Sequence, residues 1–330
     1  MGAWQEIVDY TVPSNTTSVT LNNFGTITKD DFVKVHMTHV SVEPSLDTMV
    51  GLTANTATSI TSYHTQFLIV LGGTRFQGRQ NNARFATSNP LQTSTSFGYL
   101  KISENDRLNV FTNYNHENNS EVRNGFVYAT SSGATFPSGI NTLTFISDIT
   151  NGIGTGSRIQ IYKLAAEKVA DITVASNTTQ VDITGLDIKK GDEYLLVSNL
   201  LATTSSNSVH NLTPNDLTTA TDYHTQAIVG EGSSSGAFRA NRAELTRGVG
   251  TLTNNVVYSH IKLSNIGAYT SQNYQILGQG ASNITMVNNF VSSVAENITS
   301  ITKLNILSSV SNGIQSTSRF TLYKLYEGGN

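Results

Sequence analysis

The chain has 330 residues, with 20 basic against 23 acidic side chains, a formal net charge of −3 and no cysteine. Charge this sparse and this balanced builds neither a polyanion-binding face nor an acidic tail, so nucleic acid is not an expected partner. Without cysteine there are no disulfides, thiolate metal sites or thiol nucleophiles, and no stretch reaches the roughly 18 apolar residues that a membrane helix needs.

In chain order, the first clear element is "SVTLN", where Val19 and Leu21 alternate with polar residues as in a half-buried strand. The tetrapeptide Tyr-His-Thr-Gln at Tyr63 then leads into an apolar strand, Phe67 to Leu71, and "RIQIY" closes the first half with Ile159 and Ile161 on one face. "LAAEKVADI" from Leu164 reads as a linker running into a new first strand. The series then repeats: "QVDIT" with Val181 and Ile183, Tyr-His-Thr-Gln at Tyr223 before Ala227 to Val229, and "RFTLY" with Phe320 and Leu322. "NNFG", "TKDD", "KKGD", "NGIGTG" and "SSGATFPSG" supply turn chemistry between them. No window holds an apolar stripe of helical period.

Four collinear blocks establish a tandem duplication at an offset of about 160 residues. "SNTTSVTLNNF" matches "SNTTQVDITGL", Tyr63 matches Tyr223, "GYLKIS" matches "SHIKLS", and "NGIGTGSRIQIYKL" matches "NGIQSTSRFTLYKL". The expected architecture is all-β, two tandem jelly-roll-like β-sandwich domains at residues 1–165 and 166–330. The T-x-x-V-x-I/L opening strand, the central "YHTQ" and the closing "NGI-x-x-x-SRI-x-I/LYKL" resemble the jelly-roll structural modules of tailed-bacteriophage virions. In those modules the last strand follows a Ser-Gly-rich turn and ends in Leu-Tyr-Gly; Lys163 and Lys324 stand where that glycine is common. The resemblance implies a non-enzymatic virion protein, expected to be a head decoration or cement protein that contacts coat subunits and self-associates. The alternative is a tail or fibre component that binds the host surface, with glycan as one candidate ligand. No cofactor and no membrane contact are expected.

Two groups of residues stand out as candidate sites. In extended chain Tyr63 and Thr65 share one face, and His64 and Gln66 the other; Tyr223, His224 and Gln226 repeat the pattern. The His and Gln either present polar groups to a ligand or help a half-buried Tyr hold a loop to the sandwich. Arg75, Arg79 and Arg84, and again Arg239, Arg242 and Arg247, read as Gly- and Asn-rich loops without compensating acids, able to clamp carboxylates of a neighbouring protein. Tyr99, Tyr114, Tyr128, Tyr258, Tyr269 and Tyr274 are available to stack on a sugar or to pack a sheet, with Trp4 read as lying outside the sandwich. His36 and His39, three apart on a strand, point to opposite faces, so no metal site is expected. Glu104 and Asp106 share a strand face, but the second copy reads "SNIGAYT" there, without an acid, and no catalytic site is expected.

Overall fold

A computed structural model describes residues 3–326 apart from residues 56, 58–62, 72–73, 81–83, 89, 104–105, 118–121, 132–133, 204–207, 232–233, 250–253, 280–282 and 295–296. The chain divides into two compact units, one formed by Trp4–Ala165 and the other by Ala166–Glu231 together with Ser235–Asn330.

The first unit carries β1 (Trp4–Thr11), β2 (Ser18–Leu21), β3 (Val33–Val40), β4 (Thr48–Ala54), β5 (Tyr63–Leu71), β6 (Thr74–Gln80), β7 (Arg84–Ser88), β8 (Thr93–Ile102), β9 (Leu108–Glu117), β10 (Val122–Ser131), β11 (Leu143–Ser147) and β12 (Arg158–Leu164). The second repeats the series as β13 (Glu167–Thr173), β14 (Gln180–Lys189), β15 (Glu193–Leu200), β16 (Ser208–Pro214), β17 (Tyr223–Glu231), β18 (Ser234–Ala240), β19 (Glu244–Val249), β20 (Asn254–Leu263), β21 (Tyr269–Gln279), β22 (Asn283–Ser293), β23 (Ser300–Ser308) and β24 (Arg319–Tyr326).

In the first unit the sheets run β1-β12-β3-β8-β9-β10-β5-β6 and β2-β11-β4-β7, and the second unit has the same two orders. Without the hairpins β5-β6 and β9-β10, what remains is β1-β12-β3-β8 facing β2-β11-β4-β7. Along the chain these eight strands alternate between the two sheets except at β4 and β7, which are neighbours in the smaller one, and this is the connectivity of a jelly roll. The two hairpins pair with each other through β5 and β10 and widen one sheet from four strands to eight. The all-β tandem sandwich read from the sequence is the fold observed.

Alternation sets the faces. In β3, Val33, Val35 and Met37 enter the core while Lys34, His36 and Thr38 face outward. The core of the first unit is completed by Leu52, Phe85, Phe145, Ile159 and Ile161, and that of the second by Leu196, Leu212, Leu245, Leu304, Phe320 and Leu322. Trp4, expected outside the sandwich, is the first residue of β1 and pairs with Leu164.

The repeated "NGI" and "SR" segments have a structural cause. Asn151 and Asn312 hold left-handed backbone, φ 59° and 52°, a conformation Asn tolerates better than most residues. The following Gly152 and Gly313 pass so close to Ser147 and Ser308 that an added Cβ would sit 2.2 and 2.1 Å from the serine oxygens. Next, Ile153 exchanges hydrogen bonds with Thr16, and Ile314 with Thr178. Ser157 Oγ accepts the Val40 N–H at 2.9 Å, and Ser318 Oγ that of Leu201 at 3.0 Å. Arg158 and Arg319 then donate across the pair of end strands to Asp9 and Asp171, and Arg319, with Lys168 behind it, holds the Asp171 carboxyl well below the usual carboxylate range.

Because each unit has its own core and its own pair of end strands, a cut between Ala165 and Ala166 is expected to leave two fragments that each melt cooperatively with a β-sheet spectrum. Gly313→Ala is expected to cost the second fragment about 1–3 kcal/mol by overpacking and to leave the first unchanged. Two fragments that stay unfolded, or one transition shared by both, would contradict this.

Candidate functional site

The Tyr-His-Thr-Gln strands, β5 and β17, lie in the widened part of each large sheet. Their inward residues are structural. Tyr63 is buried, its hydroxyl accepts the Ala54 N–H at 3.0 Å, and burial pushes its pKa up to about 12. Tyr223 donates to the Leu217 carbonyl at 2.7 Å and meets Tyr269 edge-on at 6.3 Å. The Thr65 and Thr225 hydroxyls accept the N–H groups of Arg84 and Glu244, both at 3.3 Å. Tyr-x-Thr therefore ties the widened sheet to the smaller one across the sandwich.

The outward residues differ between the copies. His64 is half-buried and Gln66 buried, whereas His224 and Gln226 are exposed. In register, Gln226 lies opposite Phe290 of β22 and His224 opposite Ser292. These four residues, with Arg239, Ala240 and Asn241, line a recess of about 490 Å³ on the outer face of the second unit. Ile228 and Val294 extend it as exposed apolar residues at 44% and 52%, beside Phe290 at 51%.

Five of the six arginines lie in strands rather than in loops. Arg75 and Arg79 belong to β6, Arg84 opens β7, Arg239 lies in β18 and Arg247 in β19; only Arg242 sits between strands. Glycine misled here because β6, hydrogen-bonded to β5 alone, places Gly78 directly opposite Phe67 in a regular ladder.

Three of these guanidiniums are engaged within their own unit. Arg84 donates to Thr87 Oγ1 at 2.7 and 2.9 Å and covers the Phe67 ring at 5.1 Å. Arg242 donates to Glu244 at 2.7 Å. Arg247 lies 3.8 Å from the same carboxylate and over the Phe238 ring at 3.8 Å. Glu244 is thus the compensating acid that the sequence reading overlooked. It is fully buried, and burial pushes its pKa up against the pull of Arg242. Arg239 is exposed and has no acidic partner among the described residues. The side chains of Arg75 and Arg79 lie outside the described residues, although the backbone register sets Arg79 opposite Gln66 and Gln66 opposite Tyr128.

Among the described residues no group of three or more His, Asp or Glu side chains is placed to hold a metal ion. His36 and His39 point to opposite faces. His39 is buried, 3.1 Å from the Gly152 carbonyl and 3.1 Å from Ser88 Oγ. Asp106 pairs with Lys29 at 2.7 Å, and Glu104 lies outside the described residues. His210 is the second buried histidine, 2.8 Å from Thr246 Oγ1. Burial lowers its pKa to about 4, opposed by the Gly313 carbonyl.

No known family profile and no curated protein matches the chain. Among solved structures it aligns over its whole length with 92% of a chain of domains LG4-5 of mouse laminin α1, at 9% identity and a TM-score of 0.22. It also aligns over 93% of its length with 93% of a chain of botulinum neurotoxin type C, a toxin whose cell entry depends on interaction with two ganglioside molecules, at 8% identity and a TM-score of 0.19. Scores of this size assign no family.

Two predictions arise from these contacts. Tyr223→Phe removes a buried hydrogen bond and is expected to lower stability by about 1–3 kcal/mol, while His224→Ala, on the exposed face, stays within about 0.5 kcal/mol of the parent; denaturant melts of both variants check this. The second concerns pH. The folded pKa of His210, about 4, is below its ordinary 6.5, so the unfolded chain takes up the proton first. Stability therefore falls from pH 6.5 to about 4, by up to about 3 kcal/mol for this residue. Burial also lowers His39 and His260, which act in the same sense, and the raised Glu244 acts against them. A urea midpoint followed over this window should show a flatter slope in His210→Gln; an identical slope would contradict the assignment.

Proposed function

We propose that the protein is a non-enzymatic structural component of a bacteriophage virion, a head decoration subunit that grips neighbouring coat subunits through the outer face of its second jelly roll. The observation that carries this reading is the convergence of the two sequence-selected motifs. His224 and Gln226 from one, and Arg239 from the other, meet in one recess beside Phe290. An exposed arginine without an acidic partner among the described residues, next to a half-exposed ring and flanked by Ile228 and Val294, has the composition of a protein contact: apolar anchors, a guanidinium for a partner carboxylate, and few other charges. The resemblance of the repeated strands to virion modules supports the setting.

A second reading, a tail component that touches host-surface glycan, is favoured by a different feature, the aromatic outer face of the first unit, where Phe97, Tyr99 and Tyr162 surround Lys34 and His36.

The head reading is tested by copy number on purified particles carrying Arg239→Ser or Phe290→Ala. Both substitutions are on the surface and should leave the melt unchanged. Occupancy is expected to fall several-fold for each, and the Arg239→Ser deficit should be larger at low salt, where an exposed charge pair is least screened. Normal occupancy at every salt concentration would remove this recess from the contact. Density confined to the tail in a low-resolution map of the particle would overturn the head assignment itself.

A further inference from the structure

The outer face of the first jelly roll has a composition that the second does not share. Strands β12, β3 and β8 lie side by side, and their register builds two cross-strand rows. The first runs Tyr162, Lys34, Tyr99, and the second Gln160, His36, Phe97. Alternation points all six residues away from the core, because Val33, Val35 and Met37 point inward. Trp4 of β1 continues the face, stacked on Tyr99 at 6.1 Å and 26°, with Phe32 stacked on the same ring at 5.3 Å. Phe97 meets Tyr99 nearly at right angles, 76°, at 6.4 Å. The Lys34 ammonium lies 4.9 Å from the centroids of both Trp4 and Tyr162. Between these walls is an open recess of about 350 Å³ lined by Lys34, His36, Phe97, Tyr99 and Tyr162, all half-buried.

The lining has two chemistries in alternation. Aromatic rings at right angles offer one flat surface and one edge. All the lining residues except Phe97 also carry a hydrogen-bonding group at the tip, so a purely apolar guest would leave several polar groups without water. An amphipathic ring with C–H groups on its faces and hydroxyls around its rim satisfies both, and the volume lies at the low end of the range for small-ligand sites. The local charge is balanced. Lys34 is held by two rings, Glu6 accepts from Gln160 at 3.1 Å, and Asp9 is taken by Arg158. The two cations, Lys34 and Arg158, are matched in number by the two anions, Glu6 and Asp9, so these groups carry no net charge to favour a charged guest.

We infer that this recess binds a neutral hexopyranose, with a ring face against Phe97 and Tyr99 and hydroxyls on His36, Lys34 and the Tyr162 hydroxyl. There is one such site per chain. At the matching register positions of the second unit stand Tyr323, Leu195 and His260, then Thr321, Val197 and Tyr258. The cation and the imidazole in the middle strand are thus replaced by Leu195 and Val197, and both are buried together with Tyr258. The inference rests on the second reading above, whose ligand class it names, and goes beyond the contact proposed for the second unit. It concerns a different unit, a different ligand and different residues, and each stands if the other fails.

Trp4 is the only tryptophan, so its fluorescence reports on this face alone. The full chain is titrated with lactose, maltose, cellobiose and mannobiose as neutral probes, with sialyllactose as the charged control. At least one neutral probe is expected to give a saturable change in Trp4 emission, with one site per chain by calorimetry and weaker binding of the charged control. Phe97→Ala should weaken binding about tenfold through lost stacking, with an unchanged melt. His36→Ala, a smaller change on the same face, should weaken it several-fold and serves if Phe97→Ala does not fold. No response to any neutral probe up to about 10 mM, where even millimolar affinity saturates, would overturn the inference. So would two sites per chain, preference for the charged sugar, or affinity unaltered in the folded variants. Copy number of Phe97→Ala on particles is expected to be normal, which separates this site from the contact between subunits.

Discussion

Each jelly roll depends on the turn between its last two strands. A jelly roll brings its first and last strands together, so the chain must return across the whole sandwich and be fastened where it arrives. The fastening is Asn151-Gly152-Ile153 in one unit and Asn312-Gly313-Ile314 in the other. A left-handed Asn turns the chain, a glycine with no room for a side chain sets it against the preceding strand, and the isoleucine backbone bonds to the segment before β2 or β14. Residues far apart in sequence, near 16, 40 and 153, are thereby fixed to one another, and the later pairing of β12 with β1 and β3 has its register set.

With this frame held constant, the two copies have diverged where the frame leaves room. The ring beneath an arginine comes from Phe67 of β5 in the first unit and from Phe238 of β18 in the second, while the matching partners are Gly78 and Ala227. Arg84 and Glu244 occupy the same place, each with its backbone N–H on the motif threonine, and carry opposite charge. Both units bury a histidine against the Gly-Ile turn, yet His39 comes from the large sheet and His210 from the small one. The same spatial requirement, a polar group beside the turn carbonyl, has been met twice from non-equivalent positions.

These particulars explain what the sequence reveals. Strand alternation, the repeat and the sandwich were legible because periodicity and spacing are local properties of the chain. The opposite faces of His36 and His39, and of Tyr63 and His64, followed from the same period of two. The arginine segments were misread because glycine and asparagine signal turns equally well when they occupy an edge strand. Glu244 was missed because pairing of Arg242 and Arg247 with one buried carboxylate depends on tertiary burial. Tyr99 was available as a sugar-stacking residue, but the aromatic face it belongs to could not be read. Trp4, Lys34, His36, Phe97, Tyr99 and Tyr162 come from four strands, and only the register of β1, β12, β3 and β8 makes them neighbours.

That register also governs how each unit bears load. Trp4 is paired with Leu164, and Glu167 with Lys324, so the chain enters and leaves a unit side by side. Tension applied along the backbone therefore opens the end-strand pair like a zipper, one ladder rung at a time, instead of shearing many rungs together. A module built this way is mechanically soft when pulled by its ends.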